Sequence, residues 1–111
     1  MHAANPVVSN TTPLITLGEV ELLDSLHLIY GEIWIPQAVF DEYQRGLVAH
    51  PQRPDVQGLV WVTVHPVLPD PLVPLSLDLG EREAIALARA HQARLVLIDE
   101  RQARGVAMRL Q

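Results

Sequence analysis

The chain has 111 residues, of which 49% are hydrophobic and 19% are charged. This length and composition allow one folded domain with a hydrophobic core, and they exclude a disordered chain or two full domains. The net charge is −5, all eight basic residues are arginines, and there is no cysteine. Disulfides and thiolate metal sites are therefore excluded, as is a phosphate-binding P-loop, which needs a lysine.

The sequence contains no apolar run of the roughly 18 residues that a transmembrane helix needs. Its first residues, 1–6, lack a basic stretch followed by a long apolar stretch, so we expect no signal peptide and no membrane association. The absence of cysteine is typical of cytoplasmic proteins, and we expect a cytoplasmic location.

The first half of the chain predicts two strands and three helices. Residues 6–9 are a short apolar strand, followed by the capping residues Asn10-Thr11-Thr12 and a proline suited to a first helical turn. Gly18 separates a first helix from a second at about residues 20–26. Residues 32–35 form the second strand, and a third helix runs from Pro36 to about Arg45.

The second half predicts two more strands and two helices. Residues 46–58 are mostly loop, and the β-branched and aromatic residues 59–64 form the third strand. A connector with four prolines follows and excludes both a helix and a central strand. The clearest helix runs from Asp78 to about Gln92. The apolar residues 94–98 predict a fourth strand covered on both faces, and residues 100–110 predict a final helix.

Strands that alternate with helices predict an α/β fold with a central parallel sheet and right-handed crossovers, as one domain over residues 1–111. In such open sheets, ligands bind beyond the carboxyl ends of the strands. Asn10 and Asp99 each follow a predicted strand, so we expect both in that crevice. Either residue could instead cap the helix after it, and spacing alone does not separate the two roles.

Glu81 is placed by the periodicity of its helix. It shares the buried side with Ala84, Ile85 and Ala88, whereas Glu83 points roughly 200° away, at about 100° per residue. Residues 82 and 89 form a separate strip that we expect to face solvent. Asp78 and Glu81 also have the spacing of a capping box, so Glu81 has a capping interpretation and a site interpretation, which are compatible.

Other residues show weaker signals of a role in a functional site. Glu42 lies midway along an amphipathic helix, where a glutamate is most often exposed to solvent. Five histidines, at positions 2, 27, 50, 65 and 91, show no paired metal-ligand spacing, so we expect structural or surface roles. Ser9, Thr11 and Thr12 have no evident base partner, which argues against a serine-type nucleophile.

The sequence resembles the PIN domain, the fold of the VapC-type toxin ribonucleases, and most closely a poorly characterised branch of it. Four segments in order carry the resemblance: residues 7–15, 35–42, 79–88 and 97–104. The resemblance implies a three-layer α/β/α fold. It also implies Mg²⁺ or Mn²⁺, held by Glu42, Glu81 and Asp99 as the catalytic acids, with Asn10 as a neutral ligand.

The same resemblance implies a metal-dependent endoribonuclease of toxin–antitoxin type, with RNA, a cognate antitoxin protein and a second copy of the chain as partners. Arg45 or Arg101 could contact the RNA backbone, although a solvated position suits either. An acidic chain binds RNA poorly unless metal ions neutralise its acids; a basic protein partner is the other use of an acidic surface.

Two departures from the family pattern change these expectations. Asn10 stands where the family usually has Asp, which removes one negative charge and weakens the predicted metal site. The sequence ends at Gln111, soon after the fourth segment, so we expect the last strand and helix of the fold to be lacking and a sheet edge to be exposed.

Two other classes of function remain to be compared. The first is a catalytically inactive PIN-like binding module that keeps only dimerisation or antitoxin binding. The second is a phospho-receiver domain, but this class needs an acid pair after its first strand and a late lysine. The sequence has Ser9-Asn10 and no lysine, which argues against it.

Overall fold

The computed structural model describes residues 5–98. Four strands and four α-helices alternate along this part of the chain, with a short 3₁₀ turn at Val56–Gly58. The strands are β1 (Val7–Ser9), β2 (Ile33–Pro36), β3 (Val62–His65) and β4 (Leu95–Leu97). The helices are α1 (Thr11–Glu19), α2 (Asp24–Tyr30), α3 (Gln37–Ala49) and α4 (Leu79–Ala90). The predicted final helix lies outside the described residues.

All four strands are parallel, in the order β3-β2-β1-β4. The chain moves from β1 through β2 to β3 in one direction and then returns past β1 to β4. Right-handed crossovers in opposite directions place their helices on opposite faces of the sheet. The predicted three-layer α/β/α fold with a central parallel sheet is confirmed.

Side chains from alternate strand positions pack against the two helical layers. Val7, Ile33 and Ile35 contribute to a core with residues of α1, α2 and α3. Val8 lies on the other face, where it packs with Ala84 and neighbouring residues of α4. Burying both faces requires apolar residues at consecutive strand positions, which is why β1 is an uninterrupted Val-Val pair.

The boundaries of three elements differ from the sequence prediction. Helix α2 spans Asp24–Tyr30 and not about residues 20–26. Helix α3 continues to Ala49, about one turn beyond the expected end, and includes Gly46. Strand β3 begins at Val62 and not near residue 59, because the turn at Val56–Gly58 is extended by a hydrogen bond from the Val62 N–H to the Leu59 carbonyl.

One expectation about exposure was confirmed in part and another was wrong. Strand β4 packs on both faces, with Leu95 and Leu97 against the core that includes α1–α3 and Val96 against residues of α4, although all three residues are only half-buried. The strip of Arg82 and Arg89 on α4 does not face solvent freely. The connector at residues 66–78 lies over it, so that Arg89 Nε is 2.7 Å from a carboxylate oxygen of Asp70 and Arg82 Nε is buried.

Candidate active site

The crevice at the carboxyl end of the sheet opens between β1 and β4, where the strand order reverses. Ser9 pairs with Leu97, and the Asn10 N–H donates to the Leu97 carbonyl at 3.1 Å. Asn10 therefore begins the loop side of this crevice, next to the end of β4. Such a reversal point is where open α/β sheets bind ligands. Asp99, predicted to follow β4 into the same crevice, lies outside the described residues.

Asn10 occupies the cap position of α1, but its side chain makes no capping hydrogen bond. The residue is only 4% exposed, and its buried Oδ1 atom has no hydrogen-bond partner among residues 5–98. A buried amide oxygen that lacks a donor costs about 1–3 kcal/mol. The capping interpretation of Asn10 is thus not what the structure shows, because its oxygen makes no hydrogen bond to the first turn of α1.

Glu42 lies in the second turn of α3, and its residue is exposed. Its carboxylate is nevertheless oriented: the buried hydroxyl of Thr11 donates to Glu42 Oε1 at 2.5 Å. A hydrogen bond to a charged acceptor is stronger than one between neutral groups. Thr11, 31 residues away in sequence, therefore holds the Glu42 carboxylate toward the end of β1.

Helix α4 approaches the same place with its N-terminus. The Asp78 side chain caps it by accepting from the Glu81 N–H at 2.8 Å, so half of the predicted capping box is present. A Cβ added to Gly80 would be 3.3 Å from Glu42 Oε1. The absence of a side chain at Gly80 is what allows the Glu42 carboxylate to lie against this helix.

These side chains line one small cleft. Its walls are formed by Asn10, Thr11 and Thr12 from the start of α1, Glu42 from α3, and Asp78, Gly80 and Glu81 from the start of α4. Of the four predicted site residues, Asn10, Glu42 and Glu81 are thus brought together, although they are separated by tens of residues in sequence.

Glu83, two residues after Glu81, contacts helix α3 and is not among the residues that line the cleft. It accepts a hydrogen bond from the Ala38 N–H at 3.0 Å and so caps the first turn of α3. This contact joins the N-terminal ends of α3 and α4, the two helices that carry Glu42 and Glu81. Glu83 therefore has a structural role, because its hydrogen bond helps to fix the positions of α3 and α4 relative to each other.

The chemistry of the cleft suits a hard cation. Its donors are all oxygen atoms of carboxylates, an amide and hydroxyls, which are the ligands that Mg²⁺ and Mn²⁺ prefer. The unpartnered Asn10 Oδ1 is the structural observation that fits, because a cation would satisfy it. Within residues 5–98, no three His, Asp or Glu side chains form a ready metal-binding group.

Four residues of the cleft are not predicted as part of a site by the sequence. It indicates capping roles for Thr11, Thr12 and Asp78, and it assigns no role to Gly80. Asp78 had a sequence signal in its capping spacing, and Thr11 had one in its position directly after a strand end. Gly80 had none, since its role depends on a side chain from another helix.

The histidines expected to be structural include three that contact tryptophan rings. His65 stacks on Trp34 with ring centroids 3.7 Å apart, and His91 meets the edge of the same ring at 5.0 Å. His27 stacks on Trp61. Partial burial lowers the pKa of His65; the nearby Glu32 opposes this effect and His91 adds to it. The cluster of His65 and His91 around Trp34 lies at the C-terminal end of α4, whereas the cleft lies at the N-terminal end of that helix.

A family comparison agrees with the observed α/β fold. Residues 6–111 match a protein-family model described as a PIN domain. The chain belongs to the PIN-domain family. PIN domains are generally nucleases that depend on divalent metal ions. No curated protein and no solved structure matches the chain significantly.

None of the helices within residues 5–98 has the length and apolar character to cross a bilayer.

Proposed function

We propose that this PIN domain is a metal-dependent endoribonuclease of toxin–antitoxin type, weakened by Asn10. The observation that carries the proposal is the buried, unpartnered Asn10 Oδ1 in a cleft shared with Glu42 and Glu81. Membership of the PIN-domain family supports the nuclease chemistry, and the position at the reversal point of the sheet supports a ligand site.

The proposed ligands are the carboxylates of Glu42, Glu81 and Asp99, with the Asn10 amide oxygen as a neutral fourth. A bound Mg²⁺ or Mn²⁺ would lower the pKa of a water ligand and offset negative charge on the phosphate during phosphodiester hydrolysis. Thr11 acts as a positioning residue, because its hydroxyl orients the Glu42 carboxylate. Supporting hydrogen bonds of this kind typically change metal affinity by about 10–100-fold.

Asn10 explains why the activity should be weak. An amide oxygen can ligate a hard cation, but it contributes no negative charge, and affinity for divalent ions depends on the ligand charge count. The proposed site therefore holds three carboxylates where the usual family pattern supplies four. A cytoplasmic location, a homodimer and a cognate antitoxin remain predictions that fit this proposal.

Cleavage of a fluorescently labelled single-stranded RNA in Mn²⁺ tests the proposal. We expect cleavage by the unchanged chain and a loss of about 100-fold or more in Glu81→Gln, which keeps the shape and removes the charge. Glu83→Gln is the matched control, since it removes the same charge from the same helix while its amide oxygen can still accept from the Ala38 N–H. Equal activity in the two variants would refute the site.

A second candidate function is a binding module without catalysis. Two observations favour it: the neutral residue at position 10, and the exposed apolar side chains of Val20, Leu22, Leu28 and Ile29 at the α1–α2 corner. Such a patch is typical of protein–protein contacts. Isothermal titration calorimetry separates the two functions, because a module without catalysis should show no Mn²⁺ binding at millimolar concentrations.

A further inference from the structure

A second groove runs along the α3 side of the cleft. Helix α3 contributes Asp41, Glu42 and Arg45 to it, and the start of α4 contributes Asp78, Leu79 and Gly80. Because Glu42, Asp78 and Gly80 also line the candidate active-site cleft, the two depressions are adjacent. We call this second depression the side groove. Among residues 5–98, Arg45 is the only basic residue that lines it.

The described part of the chain contains five arginines, and most of them are occupied. Three are held by other groups: Arg53 by Glu19, Arg89 by Asp70 and Arg94 by the Tyr30 carbonyl. A fourth, Arg82, has its Nε buried under the connector. Arg45 is exposed and has no ion pair or hydrogen bond with any of the described residues. Its guanidinium is therefore free to bind a ligand.

The local sequence of α3 favours an ion pair for Arg45. Asp41 lies four residues earlier on the same helix, which is the favourable arrangement for an ion pair with Arg45. Asp41 Oδ1 instead accepts a hydrogen bond from Gln37 Nε2 at 2.9 Å. Within residues 5–98 the ion pair between Asp41 and Arg45 is not formed, so the Arg45 guanidinium has no described partner beside the groove.

We propose that Arg45 binds an RNA phosphate adjacent to the one cleaved, with the side groove as its subsite; this inference rests on the proposed nuclease function. Arg45 lies three residues after Glu42, about 4.5 Å further along the axis of α3. A strand whose scissile phosphate lies in the cleft can therefore place a neighbouring phosphate in the groove. The planar guanidinium can bind two phosphate oxygens at once.

The charges around the subsite make this binding depend on metal. Asp41, Glu42 and Asp78 all border the groove and repel a phosphate. The positive end of the α4 dipole partly offsets them, since anions are stabilised at a helix N-terminus. A divalent ion in the cleft would neutralise more of this charge. Metal in the cleft and phosphate at Arg45 should therefore strengthen each other's binding.

The test compares Arg45→Gln with Arg94→Gln in the full chain. The second variant removes the same charge at the opposite end of the sheet, where Arg94 precedes β4. Binding of a labelled single-stranded RNA is measured by anisotropy in Ca²⁺ and in Mn²⁺ at several salt concentrations. We expect Arg45→Gln to bind about tenfold more weakly, and its salt dependence to fall by about 0.7 in log–log slope. Arg94→Gln should stay within about twofold of the unchanged chain.

Cleavage kinetics give a second readout. A group that holds a neighbouring phosphate equally in the ground state and the transition state changes KM and leaves kcat nearly constant. We expect Arg45→Gln to raise KM about tenfold, and Arg45→Lys to recover part of the loss through charge alone. Mn²⁺ affinity without RNA, measured by calorimetry, should not weaken in Arg45→Gln.

The outcomes separate this inference from the proposed function. If the unchanged chain cleaves RNA and the two glutamine variants bind it equally well, the Arg45 subsite is refuted and the nuclease proposal stands. If the unchanged chain does not cleave, the nuclease proposal fails, and the anisotropy comparison still decides whether Arg45 contacts phosphate. Absence of RNA binding by the unchanged chain overturns both.

Discussion

The two ends of helix α4 each gather polar side chains, but among residues 5–98 only the N-terminal end has a buried polar group without a partner. At the C-terminal end, His91 and His65 pack on Trp34, and the Trp34 indole N–H donates to Glu32 at 2.6 Å. At the N-terminal end, the carboxylates of the cleft lie near the unpartnered oxygen of Asn10.

The difference shows which cluster is structural and which is a candidate for binding. Polar groups in a structural cluster satisfy one another, because an unpaired buried group is costly. A binding site leaves groups unsatisfied until its ligand arrives. Changes at the C-terminal end of α4 should therefore alter stability and leave metal binding unchanged. Changes at the N-terminal end should mainly alter metal binding.

The largest stability effect is expected from Trp34→Ala. The substitution removes a ring that two histidines contact, and truncation of large aromatic residues typically costs about 3 kcal/mol or more. Urea denaturation should show this loss, while calorimetry on the folded fraction should show unchanged Mn²⁺ affinity. A weaker Mn²⁺ affinity in this variant would mean that the two ends of α4 are coupled.

Asn10→Asp should have opposite effects with and without metal. A carboxylate at this buried position lacks a described donor, so we expect a loss of about 2 kcal/mol of stability in EDTA. The added charge should strengthen Mn²⁺ binding about tenfold, so saturating Mn²⁺ should restore the stability by mass action. Thermal denaturation with and without Mn²⁺ measures both effects. No gain in affinity would count against Asn10 as a ligand position.

Gly80→Ala should separate helix stability from the geometry of the cleft. Alanine favours a helix over glycine by up to about 1 kcal/mol, but its Cβ would be 3.3 Å from Glu42 Oε1. We expect little change in the free energy of unfolding and a severalfold weaker Mn²⁺ affinity, because the carboxylate must shift. Gly58→Ala is the control, since an added Cβ there meets nothing within 4 Å.

The smallest effect concerns pH. Burial lowers the pKa of His65 below its ordinary value of 6.5. Neutral His65 therefore contributes stability that is fully present above pH 6.5 and is lost as the pH falls through the lowered pKa. Urea denaturation at several pH values should show this decline, and His65→Asn should reduce it. If the variant shows the same pH dependence, the loss of stability at low pH comes from titratable groups other than His65.

Much of the fold could be predicted because its signals are local. Apolar runs between capping residues and prolines placed each of the described strands and helices in the right order. The boundaries that were wrong lie where the local sequence is ambiguous: α3 passes through Gly46, and residues 60 and 61 form a turn before β3 begins. The exposure of a residue and the ends of a helix or strand depend on contacts with residues that are far away in the sequence. A short stretch of sequence therefore cannot predict them.

The sequence by itself determined the α/β class and its parallel sheet, and it placed Asn10 and Glu81 near the edge where the strands end. It could not distinguish caps from ligands, because both roles use the same residue types at the same spacing. Only the tertiary structure decided that Asp78 caps its helix while Asn10 does not, and that Thr11 and Gly80 set the position of Glu42. The physical reason is that these contacts join helices across the sheet, so that they exist only once the core has brought those helices together.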